Sequence, residues 1–159
     1  MIYPIQCKQL LKIGLIISVM LLWGCSETDD KTTYTEMWDS LFNTCSTGCH
    51  SPAATNGTED GPDFSTKDAF YANTINKTVD TDYQNWVRTG DCNDVSLIKP
   101  NSANESLIVG SLALSVADSI SAAFNCTNAY NVHIQEQVSA DQATIDALIE
   151  WINDGAQNN

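Results

Sequence analysis

Six consecutive residues, Cys45-Ser46-Thr47-Gly48-Cys49-His50, place two thiols and an imidazole side by side, and no other stretch limits the possible folds so sharply. Two cysteines so close can form thioether bonds with the vinyl groups of a haem, and a histidine directly after the second can reach the iron from the proximal side. The usual attachment spacing is C-x-x-C-H, and this motif carries one residue more between its thiols. That residue has to be absorbed by a bulge in the turn, and Gly48, which tolerates positive φ, stands where one would form. The same residues also allow a local Cys45–Cys49 disulfide with His50 an ordinary surface side chain, and on the motif alone both readings stay open.

At 159 residues the chain is one domain by length and long enough to bury a core. Seven basic against 20 acidic residues give a formal net charge of -13. No Lys/Arg-rich face is available to neutralise phosphates, so nucleic acid is excluded as a partner. The charge suits a soluble surface and a cationic protein partner reached by electrostatic steering. There is no G-x-S-x-G, Walker loop, H-E-x-x-H or calcium-loop pattern, and the carboxylates are scattered rather than paired. The expectation is therefore a protein that is not an enzyme. Zinc held by Cys45, Cys49, His50 and His133 satisfies a ligand count but is the lesser reading.

The N-terminus reads as an address. Lys8 and Lys12 make a positive start, and the apolar run from Ile13 to Leu22 is short for a membrane span. It ends in Leu22-Trp23-Gly24-Cys25, which resembles the bacterial lipobox, in which the cysteine is acylated and becomes the mature N-terminus. Residues 1–24 are then a lipoprotein signal peptide, residues 25–34 the lipidated Cys25 with a polar tether, and residues 35–159 the folded domain. Acyl chains on Cys25 hold such a domain at a membrane surface. Ser26 rather than Asp after the cysteine implies the outer membrane, with the domain facing the periplasm. An uncleaved anchor or a plain secretory signal are the alternatives.

The domain reads as all-α. Thr33 and Glu36 fit a capping box, and Met37, Trp38, Leu41, Phe42 and Cys45 share a helical face. Ser51 to Asp63 is a loop rich in Pro, Gly, Asn and Thr. Ser65 to Ile75 reads as a second helix, capped by Ser65 and Asp68, with Ala69, Phe70 and Ala72 for packing. Tyr83, Trp86 and Val87 belong to the core, and Arg88 to the solvated surface, with pairing to a haem propionate its sharper alternative. The last helix is capped by Ser139 and Gln142, buries Ile145, Leu148, Ile149 and Ile152, and stops at Gly155.

Three further segments carry a resemblance. Gly61-Pro62-Asp63-Phe64 is similar to the Gly-Pro-Asn-Leu segment of class I cytochromes c, and Pro62 follows His50 by twelve residues, the separation of the mitochondrial-type proteins. Val95 to Ile108 resembles the V-x-P-G-x-x-x-x-S-L-L stretch of bacterial exported cytochrome c-like domains, with Asn101 where Gly is usual. Val138 to Ala156 resembles their ending, L-S-x-x-x-I-x-x-L-x-x-W-I-x-x-G-A. The resemblance implies a small helical cytochrome c-like domain whose C-terminal helix packs across the N-terminal one. It also implies one covalent haem c on Cys45 and Cys49, with His50 as proximal iron ligand. The Pro62 carbonyl then accepts the His50 Nδ1 hydrogen, and Phe64 packs on the porphyrin.

The family's distal Met-Pro is missing. Met37 is the one methionine left after the signal peptide, and the expected region instead holds His133. The expectation is bis-histidine ligation by His50 and His133, a five-coordinate haem being the competing reading. If haem takes Cys45 and Cys49, the remaining Cys92 and Cys126 form a disulfide in the oxidising compartment; without haem the count closes equally as two disulfides. The function implied is electron transfer. A non-haem structural or binding lipoprotein and a haem enzyme or sensor with an open iron position are the rivals.

Overall fold

The first helix starts on a pair of reciprocal hydrogen bonds. In the computed structural model, which describes residues 32–48, 50–51, 62–82, 91–127 and 139–159, the Glu36 N–H donates to the Thr33 hydroxyl at 3.2 Å and the Thr33 N–H to the Glu36 carboxylate at 2.8 Å. All described residues fall in the unit Lys31–Asn159. The capping box expected at Thr33 and Glu36 is thus formed, and it satisfies donors that the first helical turn leaves orphaned. The helix, α1, runs through Tyr34–Met37, Trp38–Phe42 and Asn43–Gly48. Its middle stretch is wound one residue wider, as a π-turn in which the Asn43 N–H reaches the Trp38 carbonyl. Tyr34, Met37, Trp38, Leu41 and Phe42 are buried along it.

Helix α2, Lys67–Thr74, begins later than the Ser65 start expected. Its cap is Thr66, the last extended residue (φ -139°, ψ 159°), whose hydroxyl accepts the Ala69 N–H at 3.1 Å. Ser65 is held elsewhere, its N–H donating to the Asp63 carboxylate at 2.7 Å. With Ala at the third helical position, no side chain can answer the cap and close a box.

After α2 the chain turns through Asn76, at φ 54°, and runs beside residues 96–98. The Asn76 N–H donates to the Ile98 carbonyl at 2.9 Å, the Leu97 N–H to Lys77 at 2.7 Å and the Ile98 N–H to Thr74 at 3.0 Å. These are isolated bridges, and among the described residues no sheet forms. Three short helices follow: α3 Val79–Asp82, α4 Leu107–Gly110 and α5 Leu114–Phe124, with a single 3-10 turn at Ala103–Glu105 before α4. At the level of class, the described chain is all-α, as the sequence predicts.

The last helix, α6, spans Gln142–Asn153. Asp141 caps it instead of Ser139, its carboxylate accepting the Thr144 N–H at 2.8 Å. The buried stripe is Ile145, Leu148, Trp151 and Ile152; Ile149, expected among them, is half-buried. Trp151 takes that place because its ring stacks on Tyr34 of α1 at 5.3 Å, while its Nε1–H is satisfied by the Gln157 carbonyl at 3.0 Å. The chain end closes the contact: Asn159 accepts the Tyr34 N–H on Oδ1 at 2.8 Å and the Thr35 N–H on its main-chain oxygen at 3.3 Å. In this way α6 packs against the start of α1.

Segment 95–108 docks on the same, C-terminal end of α6. Asn101 adopts left-handed backbone at φ 64°, as its place at the usual Gly requires, and its N–H donates to the Ile152 carbonyl at 2.7 Å. The Ala103 N–H donates to the Asn153 side chain at 3.0 Å. Buried Ser106 accepts the Lys99 N–H at 2.9 Å and donates to the Ser102 carbonyl at 3.0 Å. Gly155, at φ +99°, ends the helix, and Ala156 follows at φ 49°. Cys92 and Cys126 form a disulfide across a sequence separation of 34, a closure that stabilises a chain by about 3 to 4 kcal/mol in the chain-entropy model.

Two predictions follow from these helix ends. A Cβ built on Gly155 meets nothing closer than the Asn101 Oδ1 at 3.6 Å, so only backbone strain opposes it. Gly155→Ala is therefore expected to lower unfolding free energy by about 1–2 kcal/mol, and Asn101→Gly to leave it nearly unchanged, both read from urea midpoints. The Thr33 N–H holds the Glu36 carboxyl below the ordinary carboxylate range, and the Thr144 N–H does the same for Asp141. A depressed folded value means stability that is complete at neutral pH and lost as pH falls through that value. Glu36→Gln with Asp141→Asn is expected to lose less stability than wild type between about pH 7 and about pH 3.

Candidate haem-attachment site

Helix α1 carries Cys45 into the site. The thiol is half-buried against the core, and its Sγ–H donates to the Leu41 carbonyl one turn back at 3.7 Å. Helical backbone extends to Gly48, and the His50 N–H then donates to the Cys45 carbonyl at 3.3 Å. The extra residue of the motif is thus taken up by a last helical turn and a wide closure spanning five residues, where a bulge at Gly48 was expected. Cys49 lies outside the described residues.

His50 is half-buried, with its Nδ1 buried. Two interactions fix it to a segment fourteen residues on: the Phe64 N–H donates to the His50 carbonyl at 2.7 Å, and the Phe64 ring lies on the imidazole, centroids 4.3 Å apart and planes 19° from parallel. Pro62, two residues earlier, is buried. The Asn73 side chain, donating to the Asp63 carbonyl at 3.0 Å, ties the same segment to α2. Phe64 in turn meets Phe70 at 4.7 Å and Phe42 at 6.4 Å, both edge-on, and Phe42 stacks on Phe70 at 3.9 Å. The imidazole is therefore the outermost ring of an aromatic stack that begins in the core.

Of the expected site residues, the fold brings together Cys45, His50, Pro62 and Phe64. Cys25, His133, Arg88 and the aromatic pair Tyr83 and Trp86 lie outside the described residues. Met37 is 3% exposed, packed in the core beside Trp38 and Leu41 on α1. As a haem-binding set the described half fits: a half-buried thiol able to add to a vinyl group and an imidazole able to ligate iron stand beside an apolar aromatic wall. Asp91, Cys92 and Cys126 bring three ligand-type atoms within 4.8 Å, but both sulfurs are spent in the disulfide and hold no metal. Sequence reasoning missed Phe42 and Asn73 as supports of this site. Phe42 was legible as a buried helix position, but nothing in its spacing names Phe64 as its neighbour. Asn73 sits in a helix where any residue would do.

The stacked imidazole is expected to show ring protons shifted upfield by Phe64 in proton NMR of the haem-free, oxidised chain. Phe64→Leu is expected to move those resonances downfield; unchanged positions would mean that the stack does not form in solution. Comparison of the chain with protein-family models, with curated proteins and with solved structures finds no match.

Proposed function

We propose that this chain is a cytochrome c-like electron carrier: one haem c bound covalently, in a lipid-anchored domain facing the periplasm at the outer membrane. The observation that carries the reading is the joining of His50 to Phe64 by both a backbone hydrogen bond and a ring stack. It puts the Pro62-Asp63-Phe64 segment against the one histidine of the cysteine motif, where a proximal ligand needs support for its orientation. Cys45 and Cys49 are the thioether residues, and His50 is the proximal ligand. With the iron bound, the Pro62 carbonyl would accept the His50 Nδ1 hydrogen, a bond the structure does not itself make, and Phe64 supplies an apolar surface beside the ring. His133 is the distal ligand. Cys25 bears the lipid.

When bound, the haem supplies a one-electron couple. The chain's own part is to hold two imidazoles, which favours a lower potential than a His/Met pair. With His50 and His133 both holding the iron, the haem would be left to exchange electrons rather than to turn over substrate, hence no enzyme. The acidic excess, 20 Asp and Glu against seven Lys and Arg over the whole chain with two of those lysines in the signal peptide, steers a cationic redox protein to the surface and repels nucleic acid.

The test is expression with export and a haem-maturation system. The mature protein should gain the mass of one haem, give a c-type pyridine haemochrome, and show low-spin iron without a Met-to-iron charge-transfer band. His133→Ala should convert it to a form that binds CO rapidly when reduced. A colourless, disulfide-only protein would end this reading in favour of a structural or binding lipoprotein, and rapid CO binding by wild type would favour an open-site sensor or enzyme.

A further inference from the structure

The Cys92–Cys126 disulfide is flanked by a clasp between Asp91 and Thr127. The Asp91 N–H donates to the Thr127 carbonyl at 3.0 Å, and the Thr127 N–H returns a bond to the Asp91 carboxylate. Asn125, in left-handed backbone at φ 52°, turns the chain into it. The carboxylate is thereby fixed where one of its oxygens and the two sulfurs all lie within 4.8 Å of one another. Cys92 is 0% exposed, in the apolar core, while Cys126 is half-buried and Asp91 exposed.

Reduction by a thiol proceeds through attack of a thiolate on a disulfide sulfur. Burial leaves the Cys126 sulfur as the one to be attacked. A bond forms between it and the reductant, the S–S bond breaks, and its electron pair leaves on Cys92 as thiolate. A second reductant thiol then attacks the mixed disulfide, so that two reductant thiols become one reductant disulfide and the protein gains two thiols. In the first step a negative charge spreads over three sulfurs, two of them beside a carboxylate that the clasp prevents from swinging away. The leaving thiolate would also form in apolar surroundings, which disfavour it.

We infer that Asp91 is an electrostatic guard that keeps Cys92–Cys126 oxidised in the presence of thiol reductants. Its use, on the reading proposed above, is discrimination within one chain. Addition of Cys45 and Cys49 to haem vinyl groups needs both as thiols, in a compartment where the other pair must stay bonded. A reductant strong enough for the first pair has to be refused by the second.

The experiment uses the purified, oxidised full chain, timed exposure to 2-mercaptoethanesulfonate, alkylation, and peptide mass analysis. Asp91→Asn keeps an oxygen to accept the Thr127 N–H and removes only the charge. It is expected to lose the disulfide about three- to tenfold faster than wild type at low salt, with the gap closing near 1 M salt. The first mixed disulfide should be on Cys126. Asp118→Asn, exposed on α5 and equal in net charge change, should match wild type. Equal rates for Asp91→Asn and wild type, or equal acceleration by Asp118→Asn, would overturn the guard. Should Asp91→Asn fail to form the native disulfide, Asp91→Ser, which also keeps an oxygen and removes the charge, takes its place, and a reduction rate equal to wild type at low salt would overturn the guard. A chain that takes no haem yet shows the Asp91 effect sinks the electron-carrier reading and leaves the guard standing; a haem-bearing chain with equal rates does the reverse.

Discussion

Phe70 is the ring on which the described structure converges. It is 0% exposed and in ring contact with Tyr34, Trp38 and Phe42 of α1 and with Phe64 of the segment that holds His50. Through Tyr34 the same contacts reach Trp151 of α6. One side chain on an eight-residue helix therefore links the first and last described helices to the candidate site. Each such contact adds of order 1 kcal/mol beyond the area it buries, and truncation of the hub itself would leave a cavity common to all of them. Tyr34 shows how strictly this core is closed. Its hydroxyl donates to the Lys67 carbonyl, and burial pushes the phenol far above its ordinary range.

The two halves of the sequence resemblance meet in space, and the meeting gives a physical reason for their joint occurrence. The left-handed residue at Asn101 exists to turn an N–H toward the Ile152 carbonyl, one of the groups a helix end leaves unsatisfied. The Asn153 side chain repays this by accepting the Ala103 N–H. Gly155 then supplies the positive φ that ends the helix beside the Asn101 side chain. A turn that needs positive φ and a helix end that needs a donor are two parts of one device. Either motif without the other would leave buried polar groups to find new partners.

Much of this was legible residue by residue where the signal is local. The Thr33 and Glu36 box, the Gly155 stop and the all-helical class depend on near neighbours in sequence, whereas the Asn101 conformation, which serves the distant Ile152 carbonyl, was legible only through the resemblance that puts Gly in its place. The misses share a cause as well. Thr66 and Asp141 displaced Ser65 and Ser139 as caps because a cap is chosen by which residue is last to be extended, and that is settled by where the helix docks. Trp151 displaced Ile149 because a partner ring, not helical period, decides which flank of a wide apolar stripe turns inward. Of the site, the Cys45 to His50 spacing and the distance to Pro62 were readable. The ring stack on His50 was not, since it depends on how Phe42 and Phe70 place Phe64.

The π-turn in α1 bears most directly on reactivity. Helical period alone puts Cys45 on the buried stripe with Trp38 and Leu41. A π-turn acts as a one-residue insertion, so that a position after it falls on the stripe one place later than the α-helical count predicts. Ser46 accordingly takes the buried place, at 6% exposed, and its hydroxyl is satisfied by the Asn43 carbonyl at 2.6 Å. Cys45 is rotated to the margin, half-buried and still in contact with the core. A thiol buried in the stripe would be inert packing; one at its margin keeps both a fixed position and access to a reactant. The same rotation leaves the chain beyond Gly48 free to close on the Cys45 carbonyl and deliver His50 to Phe64. The wide turn in the helix and the extra residue in the motif thus solve one geometric problem between them: how a helix with a buried stripe from Tyr34 to Ser46 can leave Cys45, and His50 just beyond it, at the edge of the core rather than inside it.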